Sequence, residues 1–174
     1  MLRQWQWIAW FAALGSAVAT PVAAEAPMDI GILTCALAET VRAVPGAPID
    51  GGTATEQARD MHCWFRPFHQ GPEETYVGTV RGAGQVRELF KNGVIIWTVT
   101  GTPSTRASPG LLQQVYAADP KGEPGFAPPL IGEARAELIL HSLADQELPV
   151  PNEKVQPLDA IIISVELTLK SSPG

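Results

Sequence analysis

Hydrophobic and polar residues alternate with a period of two in several separated stretches, the signature of strands with one buried and one wet face. The clearest run lies late in the chain, where Ile161, Ile163, Val165, Leu167 and Leu169 interleave with Ser164, Glu166, Thr168 and Lys170. Val94 to Thr100 repeats the logic, with Ile95, Trp97 and Val99 on one side and Ile96, Thr98 and Thr100 on the other. Arg135 to His141 sets Ala136, Leu138 and Leu140 against Arg135, Glu137 and His141. Tyr76 to Arg81 is β-branched and aromatic, which favours a further strand. Ile30 to Leu37 puts Leu33, Cys35 and Leu37 on one face. In His62 to Phe68, Cys63 and Phe65 share a face, opposite His62, Trp64, Arg66 and Phe68.

Turn residues punctuate these runs. Pro45-Gly46-Ala47-Pro48, Gly51-Gly52, Gly71-Pro72, Thr102-Pro103, Ser108-Pro109-Gly110 and the stretch from Pro120 to Pro129 all read as loops. Asn92-Gly93 is a hairpin signal. Ala36 to Val44 predicts a short helix, and Asp119 to Pro129 a mobile loop. No internal repeat is visible in the sequence. The pattern predicts an all-β or β-dominated domain, a small antiparallel barrel or sandwich with long Pro/Gly-rich loops.

The first residues change where this domain is expected to work. Arg3 precedes an apolar run from Trp5 to Ala19, Thr20-Pro21 breaks it, and Val22-Ala23-Ala24 offers the small residues that a signal peptidase reads. The expectation is a signal peptide over residues 1–24, cleavage after Ala24, and one secreted domain over 25–174, periplasmic in location. The competing reading is an uncleaved anchor, since Trp5 to Ala24 is about the length that spans a bilayer. Later apolar runs such as Val94 to Val99 are too short to span. No membrane span is therefore expected in the mature chain.

Charge narrows the partners. The 174 residues carry a net charge of −6, and loss of Arg3 with the leader leaves eleven basic against eighteen acidic side chains, or −7. That balance argues against nucleic acid and anionic lipid. The two cysteines, Cys35 and Cys63, lie on inward faces, and an oxidising compartment favours pairing them.

Gly31-Ile32-Leu33-Thr34-Cys35, Cys63-Trp64-Phe65-Arg66-Pro67 and Tyr76-Val77-Gly78-Thr79-Val80 occur in that order after the leader. With Val94 to Val99 around Trp97, Gly110 to Tyr116, and Leu158 to Leu169 after Pro157, they resemble a family of secreted bacterial proteins, the domain of unknown function DUF992. The resemblance implies a small secreted β-domain with a cysteine bridge, and carries no activity or ligand with it. The chain departs from the pattern by a longer insertion between its cysteines and by a Pro- and acid-bearing stretch from Asp119 to Glu133.

Candidate chemistry is sparse. Asp60-Met61-His62-Cys63 holds three metal-ligand types, but on a strand Asp60 and His62 face away from Cys63, so they do not converge. His69 and His141, and Ser104, Ser108, Ser142 and Ser164, sit in no nucleophile-elbow pattern. Glu73-Glu74 and Glu133 with Glu137 are acidic pairs of a kind found in hydrolases and equally on acidic surfaces. No catalytic residue, metal or cofactor is expected. Trp64, Phe65, Phe68, Tyr76, Trp97 and Tyr116 either line an apolar pocket or fill the core, and His62, Trp64, Arg66 and Phe68 offer an aromatic and basic face suited to a protein partner. Trp64, Arg66, Phe68, Tyr76, Trp97 and Tyr116 are thus the candidate ligand or partner residues. The expected role is a non-enzymatic interaction or scaffolding module of the cell envelope, bound to an envelope protein. The alternatives are a small barrel holding an apolar small molecule and a subunit anchored to a membrane complex by its uncleaved leader.

Overall fold

A computed structural model describes residues 26–44, 56–69, 71–84, 93–103, 105, 108–119, 128–143 and 160–172. These form eight strands: β1 (Met28–Ala43), β2 (Gln57–Pro67), β3 (Glu74–Gly84), β4 (Val94–Gly101), β5 (Val115–Ala118), β6 (Leu130–Gly132), β7 (Ile139–Ser142) and β8 (Ala160–Ser171). They close into a barrel in the order β1-β2-β3-β8-β5-β6-β7-β4, with β4 returning to β1. Every neighbouring pair is antiparallel. The ring consists of two Greek keys of one pattern, in each of which three successive strands are joined by a fourth that returns beside the first. β4-β1-β2-β3 is one and β8-β5-β6-β7 the other, and they meet at the β3–β8 and β4–β7 seams.

The lumen is filled by side chains. Trp97, Tyr76 and Tyr116 are fully buried with Leu33, Met61, Val99, Leu112, Leu130, Leu138, Leu140, Val165 and Leu167. Burial of this kind is the main force available to a closed sheet, at roughly 1.5–3 kcal/mol per large apolar side chain. Inside the core, Cys35 and Cys63 face each other in the β1–β2 ladder with Cα atoms 4.0 Å apart and form a disulfide. Ile95, Trp97 and Val99 all point inward, as their alternation requires.

Four expectations are corrected. No helix occurs among the described residues: β1 runs on through Ala36 to Ala43, with a register shift between Leu37 and Val41 that satisfies this segment as a bulged strand on β2. Gly93 takes a left-handed φ of 66°, yet β4 pairs with β1 and β7, so this turn feeds a crossover rather than a hairpin. Arg135 to Glu137 is exposed turn, and β7 starts only at Ile139. In β8 the alternation changes phase, because the pairing with β3 shifts between Arg81 and Gly82. Ile162, Val165 and Leu167 are buried there, and Ile163 is only half-buried. Residues 1–25, which include the expected leader, and residues 120–127 of the expected long loop lie outside the described residues.

Candidate functional site

One end of the barrel is closed by the segment 108–114. Gly110 adopts φ 77°, which glycine tolerates without strain, and the turn drives Leu111 and Leu112 into the core. Two side chains on the inward face of β3 hold it there. Buried Glu74 accepts a hydrogen bond from the Gly110 N–H at 3.2 Å, and the Leu112 N–H donates to the Tyr76 hydroxyl at 3.2 Å. Tyr76 in turn donates its O–H to Glu74, and Tyr116 donates to the Leu112 carbonyl at 3.3 Å. Burial, reinforced by the hydrogen bond to Glu74, pushes the Tyr76 phenol far up, and burial pushes that of Tyr116 up to about 12. The two phenols are therefore donors fixed in their neutral form, suited to holding backbone rather than moving protons.

The other distinctive surface is outside the barrel. Successive outward residues of β4, β1 and β2 line up in cross-strand rows. Ile96, Thr34 and Trp64 form the middle row, extended by Leu143, whose N–H donates to the Ile96 carbonyl at 3.0 Å. Thr98, Ile32 and Arg66 lie on one side of it, and Val94, Ala36 and His62 on the other. Trp64 is 47% exposed, Val94 46% and Ile96 38%. Ile32, Thr34, Trp64, Arg66, Glu73, Ile96 and Leu143 enclose a shallow groove of about 610 Å³. Its walls are mostly apolar, and its rim carries an exposed ion pair between Arg66 and Glu73 at 2.6 Å.

A second hollow of about 510 Å³ continues the first along β1 and β2, from Ala36 and His62 to Ala38 and Asp60. Val77 and Thr79 of β3 and Glu166 and Thr168 of β8 complete it. Asp60 bonds to Arg42 and accepts from the Thr79 hydroxyl at 3.2 Å.

The sequence-derived candidates divide cleanly. Trp64, Arg66 and Phe68 are exposed together on or beside the outer face. Tyr76, Trp97 and Tyr116 are in the core, so they belong to the filling of the barrel and not to a surface. Phe65 is buried with them. Asp60 and His62 point outward while Cys63 is bridged within, and no cluster of three metal-binding side chains occurs among the described residues. Glu133 and Glu137 are both exposed in a turn. The acidic pair Glu73-Glu74 separates, Glu73 to the rim and Glu74 to the interior. The inward place of Glu74 was missed, although its two-residue spacing from Tyr76 signals a shared face. Ile32, Ile96 and Leu143 were missed as groove residues, because which strands become neighbours is set by the crossover.

The fold and this surface define a small disulfide-bridged double Greek-key barrel with a filled lumen and an apolar outer face. No described helix is long and apolar enough to cross a membrane. The chain belongs to the family described as protein of unknown function (DUF992), whose model matches residues 15–143. No curated protein and no solved structure matches it.

Proposed function

We propose that the protein is an exported, non-enzymatic interaction module of the bacterial cell envelope, working in the periplasm and docking a protein partner on the outer face of β4, β1 and β2. The observation that carries this reading is the joint exposure of Trp64, Ile96 and Val94 in adjoining rows on one side of a barrel. A strand normally turns such residues inward, and grouped exposed aromatics with an arginine are the composition of interface centres. The core disulfide supports an oxidising compartment, as does the leader read from the sequence. The lumen offers little to the apolar-ligand alternative, because Trp97, Tyr76 and Tyr116 occupy it.

Photo-crosslinking in intact cells tests the reading. A photoreactive amino acid at position 64 or 96 is expected to give one discrete adduct with an envelope protein, and the same residue at position 137, in the exposed turn between β6 and β7, is expected to give none. Adducts that are equal at all three positions, or missing at 64 and 96, overturn it.

A further inference from the structure

The two outer hollows form one track, because Thr34 and Ala36 are consecutive outward residues of β1, and Trp64 and His62 of β2. Its ends differ in chemistry. At the Trp64 end the walls are Ile32, Ile96, Leu143 and the indole, and the one cation, Arg66, is neutralised by Glu73. At the far end Asp60 is neutralised by Arg42, but Glu166 is exposed and has no ion pair among the described residues. His62 stands between the ends. Among the described residues lining the track, the unbalanced charge is therefore negative and sits at one end only. Four residues of strand separate Trp64 from Asp60, about 13 Å at the usual rise, and Glu166 lies two strands to the side in the row Asp60, Thr79, Glu166, which sets it roughly 16 Å from Trp64 on the diagonal.

We propose that the occupant is a segment of a partner protein that presents an apolar anchor to Trp64 and Ile96 and, roughly 16 Å away across β2, β3 and β8, a Lys or Arg to Glu166. This rests on the interaction reading of the same face and names the chemistry of what binds. An extended segment with its cation four residues from its anchor covers about 13 Å on one face, and the long Lys or Arg side chain spans the rest. An acidic segment or an anionic lipid surface meets the uncompensated Glu166 on a protein whose net charge is already −6.

Fluorescein-labelled synthetic peptides test the pairing by anisotropy against the purified full domain. One carries a Trp-Leu anchor with Arg four residues on, a second replaces Arg by Glu, and a third replaces the anchor by Ser-Gly. The first is expected to bind, and the other two to bind weakly or not at all. Glu166→Gln is expected to weaken the first peptide about two- to fivefold, the range of one exposed ion pair, and added salt to do the same. Trp64→Ala is expected to remove binding, and Glu137→Gln, in the exposed turn between β6 and β7, to leave it unchanged. Equal binding of the Arg and Glu peptides, or indifference to Glu166→Gln, overturns the charge pairing. A dimer of the protein itself that dissociates on Trp64→Ala also overturns it, by making a second copy the occupant. If none of the peptides binds while crosslinks at 64 and 96 persist, this inference fails and the interaction reading stands.

Discussion

Trp64 and Trp97 show how strongly position in the pleat decides what an indole does. Trp97 sits in the core between Ile95 and Val99, and Trp64 lies half-exposed on the outer wall, back to back with bridged Cys63. Truncating a buried Trp costs about 3–5 kcal/mol, a large share of the roughly 5–15 kcal/mol that holds a domain. Trp97→Ala is expected to lower the denaturation midpoint by that order, and Trp64→Ala to shift it by about 1 kcal/mol or less in urea titration. This contrast was legible in the sequence, since the period-two pattern fixes inward and outward residues wherever the ladder is regular. Ile163 marks where it stops being legible, because it is an extra residue of β8 between the pairs Arg81–Ser164 and Gly82–Ile162, a bulge that reverses the phase and turns Ile162 inward instead.

Among the strands, β3 has a demanding place, since it carries the longer of the two seams between the Greek keys. Gly78 lies opposite Leu167, and a methyl group there would stand 2.1 Å from the Glu166 carbonyl oxygen, a backbone atom that cannot swing aside. Gly78→Ala is therefore expected to force β3 and β8 apart and to cost about 1–3 kcal/mol, the usual range for overpacking, or more. Hydrogen exchange would show the loss first at Val77 to Val80 and Val165 to Thr168. The strands flanking this seam were readable from alternation and β-branched composition. β5 and β6 were not, for a run of three or four residues is too short to carry a period. The bulge in β1 was invisible for a related reason: Ala38-Glu39-Thr40 reads as helix locally, and only pairing with β2 makes it strand.

For the whole molecule, the chain's two tyrosines are both buried hydrogen-bond donors, which ties its alkaline stability to their ionisation. Each phenol has its folded pKa raised above the ordinary value of 10.0, Tyr116 to about 12 and Tyr76 further. The folded state thus retains protons that the unfolded chain gives up. Their contribution is intact below pH 10 and declines as pH climbs from 10 through 12. Tyrosinate absorbance is expected to rise together with loss of the near-ultraviolet circular dichroism of the fold. A separate phenolate transition near pH 10 in the folded protein would contradict this burial. The barrel class was within reach of sequence alone. The order of strands was not, because crossover connections leave no periodic trace.

That order has a kinetic consequence. β1 and β2 meet across a separation of 28 residues between their cysteines, whereas the β3–β8 seam joins Val80 to Val165. Under the export proposed above, a chain threading through a membrane pore amino-end first delivers β1 to β4, a whole Greek key, before β8 arrives to close the ring. The cysteine bridge can therefore form on an open, half-built sheet, and closure waits for the last strand. Non-local pairing of this kind folds in milliseconds to seconds rather than microseconds. On the export route proposed above, the protein is thereby slow to fold in the compartment it leaves and covalently guided in the one it enters.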